Sequence, residues 1–182
     1  MTRYTLLQRV IHWLMAVIIL ALLLGGMLIY FLGFQGVTDL LGPALRDALY
    51  EYHKTFGLIV LILMVLRLFV RLEVGKPSYD PPITPFERLA SAGVQYMLYL
   101  CLFAMPILGW LATDAMNFPV EFFSWDLPQF IAKDEAMGKA LYEAHGWVGF
   151  GIIILLALHI GGAIRHSMRG HGHIFRRIWP LW

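Results

Sequence analysis

Four stretches of this chain are both long and free of charge, and no other feature restricts its possible folds as much. Val10 to Thr38 contains no Asp, Glu, Lys or Arg, and neither do Leu89 to Thr113 or Ala144 to Ile164. Thr55 to Leu66 is also uncharged. Arg67 and Arg71 can extend it, because their aliphatic stems lie in hydrocarbon while the guanidinium reaches the interface. Each stretch can supply the ~20 residues that a helix needs to cross a bilayer core. Only 14% of the 182 residues are charged, against about 25% in soluble domains, which excludes an ordinary soluble fold. The expectation is an all-α integral membrane protein, a four-transmembrane-helix bundle. It forms a single membrane-embedded domain over residues 1–182, with helices near 7–34, 51–72, 86–113 and 139–167. The first apolar run is longer than a signal-peptide h-region and no A-x-A-type site closes it, so it is expected to stay as an anchor.

The connectors divide by charge. With the N-terminus inside, ten Lys and Arg residues fall on the inner side and four on the outer side (Arg46, Lys54, Lys133 and Lys139). Such a bias places both termini in the cytoplasm. A Gly/Pro-containing outer loop is expected around Gly36, Gly42 and Pro43, and an irregular, proline-rich inner loop in GKPSYDPPITPFER. Pro106 and Gly109 are expected to bend the third helix. The longest outer loop, from Asp114 to Lys139, carries Phe118, Phe122, Phe123, Trp125 and Phe130, which suit a segment lying among headgroups. The basic tail after the last span reads as attraction to anionic lipid rather than as nucleic-acid binding. Cys101, the single cysteine, cannot form an internal disulfide and reads as a small buried residue. No C-x-x-C-H occurs, so covalent haem attachment is not indicated.

Histidines inside these apolar stretches carry the chemistry. Imidazole within a membrane span is costly and marks a functional site. His12 lies near the inner end of the first helix, and His53 begins the second on the outer side. The fourth helix descends from outside to inside, so its His145 is outer and its His159 inner. The pairs at equal depth are His53 with His145 and His12 with His159. His145 and His159 are fourteen positions apart, which is about 21 Å of helix, and fourteen steps of about 100° return to within about 40° of the same face. Two metal centres, one in each leaflet, follow from this, and b-type haems suit them better than zinc, whose structural sites group four ligands closely. Gly57, Gly146, Gly149, Gly151, Gly161 and Gly162 follow the histidines and leave room for a flat ring, or equally for close helix packing. Arg67 and Arg71 share a face near the inner surface and could pair with haem propionates. Lys54, beside His53, could do the same at the outer site or attract an anion. His166, His171 and His173 read as a solvated tail.

YTLLQRVIHW, HKTFGLIVLILMVLRLFVRL, LYLCLFAMPILGW and EAHGWVGFGIIILLALHIGGAIRH together resemble the four helices of the bacterial dihaem cytochrome b-561 family. That resemblance implies haem ligands at His12, His53, His145 and His159, in agreement with the depth pairing. It also implies an inner-membrane protein exchanging electrons with quinone. The family includes superoxide oxidases, which pass an electron from superoxide to ubiquinone, and related subunits that serve hydrogenases and formate dehydrogenases. Members often carry histidines early in the third helix, where this chain has Ala92 and Gln95. The expected function is electron transfer between an outer donor, such as superoxide or a redox protein, and ubiquinone. The alternative is a haem b subunit docked to a larger dehydrogenase, and a histidine-lined transporter or proton channel forms a third class. Catalytic residues beyond the ligands are not legible.

Overall fold

A computed structural model describes residues 3–79, 82–123, 125–168 and 173–179. Four helices are long and apolar enough to cross a membrane: α1 (Leu6–Leu41), α2 (Pro43–Val74), α3 (Pro85–Ala115) and α4 (Glu135–His166). A two-residue hairpin, β1 (Glu121–Phe122) with β2 (Trp125–Asp126), lies between α3 and α4, and a short α5 (His173–Ile178) follows. The bundle agrees with the expectation. Its helices begin and end elsewhere than expected, and local chemistry explains where.

Helix starts follow capping. Thr5 and Gln8 form a reciprocal capping box at α1, and Thr84 and Glu87 form another at α3, each satisfying two backbone N–H groups that have no intrahelical acceptor. Asp134 caps α4 by accepting from the Met137 N–H, so α4 starts four residues before Lys139. The greatest difference is at α2. Residues 35–50 are not a loop. Helical backbone runs through them, interrupted only at Gly42 (φ 78°), with a kink just before them at Gly33 (φ 64°); both take conformations that side chains resist. Pro43 opens α2 at a first-turn position that proline tolerates. Arg46 fastens this turn: it donates to the Thr38 hydroxyl, lies over the Phe34 ring at 4.1 Å and pairs with Asp47 at 2.8 Å. α3 continues as one helix across Pro106.

Packing leaves a gap through the bundle. α1 packs on α2, α2 on α3 and α3 on α4, whereas α1 touches α4 only slightly and α2 scarcely approaches α4. The dry core is small: Ile11, Met15, Ile19, Val60, Met64 and Val70. Outside it, large side chains such as Leu24, Leu72 and Ile154 are open to the surroundings. This is the expected surface of a bundle solvated by lipid, where close packing rather than expulsion of water holds helices together. The exposed rings of Phe118, Phe123, Trp125 and Phe130 gather in the α3–α4 connection, as expected for an interfacial belt.

The segment from Arg3 to Trp13 meets the segment from Arg176 to Trp179 at one end of the bundle. The carbonyls of Arg176, Arg177, Ile178 and Trp179 accept from Arg3 Nε, the Tyr4 N–H, Trp13 Nε1 and Arg9 Nη1 in turn. These carbonyls close α5 and have no helical donors of their own. Donors from the N-terminal segment and α1 therefore hold the C-terminal segment across the termini end. The β1–β2 hairpin and the Gly42 turn mark the opposite, hairpin end.

Candidate cofactor site

The four intramembrane histidines come together as two pairs, each reaching across the gap between helices. At the termini end, His12 of α1 faces His159 of α4 with ring centroids 6.2 Å apart and ring planes at 62°. At the hairpin end, His53 of α2 faces His145 of α4 at 6.3 Å and 68°. The fourteen-residue step from His145 to His159 separates the two levels by about 21 Å along α4. The depth pairing read from the sequence is thus the pairing in space.

Each pair is held by its surroundings. The His145 Nδ1–H donates to the Met105 carbonyl at 2.9 Å. Because a carbonyl only accepts, the proton is on Nδ1 and the Nε2 lone pair is free to bind a metal. Gly26 and Gly109 explain how the hairpin-end rings fit: a Cβ on Gly26 would lie 3.0 Å from His53 Cε1, and one on Gly109 would lie 3.0 Å from His145 Cε1. Neither glycine stands out for this role in the sequence, because nothing there says which side chain crosses to meet it. Of the glycines that follow the histidines, Gly146 and Gly149 pack against Tyr30 and Met105, while Gly57, Gly151, Gly161 and Gly162 face open space. At the termini end, Trp13 packs edge-on against His12 at 5.6 Å and donates to the Ile178 carbonyl at 2.8 Å.

The cationic candidates separate. Arg67 lies near enough to act electrostatically on both His12 and His159, and its guanidinium is 5.9 Å from the Tyr99 ring centre. Arg71, one turn on, is half-buried, and its carbonyl accepts from the Gly75 N–H. Lys54 lines the same cavity as His53, but it is engaged by the Pro119 carbonyl at 2.9 Å and by Glu121 at 3.6 Å. At the family's expected third-helix positions, Gln95 donates to Ser91.

The residues fit an iron tetrapyrrole. Two imidazole nitrogens each about 2.0 Å from a shared metal would put the ring centroids roughly 6.3 Å apart, which matches both separations. A cavity of about 880 Å³ opens at the hairpin end, lined by His53, His145, Gly26, Gly57, Gly109 and largely apolar neighbours. A flat apolar macrocycle needs such a slot. His53 Nδ1 is buried and has no hydrogen-bond partner among the described residues. Among the described residues no three potential metal ligands cluster, so each level offers two imidazoles and an intervening space.

A four-helix membrane bundle with paired imidazoles facing across its core defines a membrane cytochrome b, a class that transfers electrons. The chain matches the prokaryotic cytochrome b561 family over residues 3–181 and belongs to it. It therefore binds haem b and is a multi-pass bacterial membrane protein. It is similar to cytochrome b561 homolog 2 of Escherichia coli (strain K12), with 28% identity over 165 residues, covering 90% of this chain and 84% of that protein. Cytochrome b561 homolog 1 of the same organism is 25% identical over 131 residues, covering 71% and 74%.

Proposed function

We propose that the protein is a single-domain dihaem cytochrome b, with one haem held by His12 and His159 and the other by His53 and His145, carrying electrons across the membrane between a donor at the hairpin end and ubiquinone. The observation that carries this reading is the two-level geometry: imidazole pairs at 6.2 and 6.3 Å on opposite halves of one bundle. When bound, haem b supplies a one-electron iron couple tuned by its ligands, hydrogen bonds and burial. The chain does the rest. With two imidazoles committed to each iron, the histidines would leave the bound group to exchange electrons rather than to take up a further ligand. The Met105 carbonyl orients His145, and Arg67 places positive charge beside the His12–His159 pair, where a propionate needs it.

Superoxide is the donor that the family resemblance favours. Lys54 is the cation at the hairpin-end cavity, and Glu121 offsets its charge, so steering of an anionic donor is weak there and collision with the exposed rim dominates. The excess of Lys and Arg on the termini side supports a cytoplasmic location for both termini, which puts the His53–His145 site on the periplasmic side.

Single substitutions test the pairing. His53→Ala and His145→Ala should remove one haem, and His12→Ala and His159→Ala the other, each leaving the remaining haem spectroscopically intact. Loss of the same haem in folded His145→Ala and His159→Ala proteins would refute the assignment.

A further inference from the structure

The two histidine pairs are oriented by different means. His145 is held by a hydrogen bond to the Met105 carbonyl. His12 is braced by the next residue along α1. Trp13 stands about 100° further round the helix, and its indole lies edge-on beside the ligand, with ring centroids 5.6 Å apart and planes at 78°. Indole nitrogen is a donor only and usually finds an acceptor when buried. Here the acceptor is the Ile178 carbonyl, at 2.8 Å. The Trp179 ring packs against the same indole at 5.6 Å and 79°. The segment that supplies both contacts is itself fixed. Arg9 Nη1 donates to the Trp179 carbonyl at 2.9 Å. Arg177 is only 6% exposed, donates to the Pro77 carbonyl and lies 4.7 Å from the Tyr79 ring centre. A continuous series of contacts thus runs from the α2–α3 connection through residues 177–179 to Trp13 and His12.

We infer that Trp13 is a positioning residue for His12, and that residues 177–179 act through it to set the angle between the His12 and His159 rings, 62° in the structure. This rests on the assignment of that pair to a haem. The χ2 torsion of histidine is broad, so an imidazole has little of its own to fix its plane and takes it from what packs beside it. An indole pinned by a hydrogen bond and a second ring is a firm brace. The orientation of a metal-bound imidazole is set by such outer contacts and tunes the metal. Imidazole π orbitals overlap different iron d orbitals as the ring turns, so the ferric EPR spectrum depends on the angle between the two rings.

Low-temperature EPR of the oxidised, purified holoprotein tests this, with haem content measured in parallel and the signals assigned by the single-histidine variants above. Trp179→Leu removes the ring behind Trp13 and leaves the ligand and its neighbour in place. The low-field ferric signal of the His12–His159 haem should move or broaden, with the other haem's signal unchanged and both haems retained. Trp179→Phe, which keeps an aromatic edge there, should restore the wild-type signal. Trp13→Phe, which loses the N–H to Ile178, should displace the same signal further. Where Trp13→Phe sheds haem, the two Trp179 variants still decide. Selective loss of the His12–His159 haem from Trp179→Leu but not from Trp179→Phe also supports the coupling. A wild-type spectrum in Trp179→Leu would overturn it, as would equal displacement of both haems' signals or an unmoved signal in a fully loaded Trp13→Phe protein. A wild-type protein with no haem between His12 and His159 would instead remove the underlying assignment, before any variant is compared.

Discussion

Gly109→Ala puts the hairpin-end site under the smallest perturbation that its geometry should register. The added methyl would stand 3.0 Å from His145 Cε1 and 3.2 Å from its Nδ1. The imidazole cannot turn away freely, because Nδ1 is bonded to the Met105 carbonyl at 2.9 Å. Relief requires the ring or the α3–α4 contact to give by a few tenths of an ångström. Overpacking of this kind costs about 1–3 kcal/mol, and the gain in helix propensity from alanine offsets up to about 1 kcal/mol. The remainder falls on one ligand, so haem affinity at the His53–His145 site should weaken about tenfold, while the His12–His159 site keeps its occupancy. Gly93→Ala is the control: its added methyl would meet nothing within 4 Å, so only the propensity gain remains. The assay is haem retention during dilution, read from site-resolved α-band absorbance. Equal retention in the Gly109 and Gly93 variants, with unchanged spectra, would refute the claim that this glycine seats the ligand.

Arg67→Leu should make the His12–His159 haem harder to reduce and leave the other potential in place, because it removes a positive charge close to one pair alone; spectroelectrochemical titration reads both. Asp114→Ala should cost about 1.5–3 kcal/mol, the range for a hydrogen bond to a charged group. Asp114 is only 2% exposed and anchors Phe130, so the expected signs are a lower Tm and faster proteolysis between residues 116 and 134. Reporters fused after Trp182 or inserted at Pro81–Pro82 should both be cytoplasmic, and a periplasmic signal from either would overturn the orientation.

The sequence is most legible where chemistry is periodic or rare. Long uncharged stretches dictate four spans because a charge at the bilayer centre is costly, and the helical period puts His145 and His159 on one face. These two facts locate all four histidines. The ends of the elements are harder to read. Arg46 and Asp47 look like a loop beyond the membrane, yet Gly42 makes the turn in a single residue and α2 begins at Pro43. Contacts supplied by other helices are not legible at all. The Gly26–His53 contact, the Gly109–His145 contact and the Met105 carbonyl depend on how α1 meets α2 and how α3 meets α4. Arg67 and Arg71 look equivalent at i, i+4, and only the packing of α2 brings Arg67 to a histidine pair.

The number of haems per chain tests the central claim most directly. Haem b is held here without thioether links, so acidified organic solvent should extract it completely, and haemochrome absorbance against quantitative amino-acid analysis gives the ratio. Two imidazole pairs predict two haems b per polypeptide. A ratio of one in fully loaded, folded protein would contradict it, because one of the two pairs would then have no metal to hold.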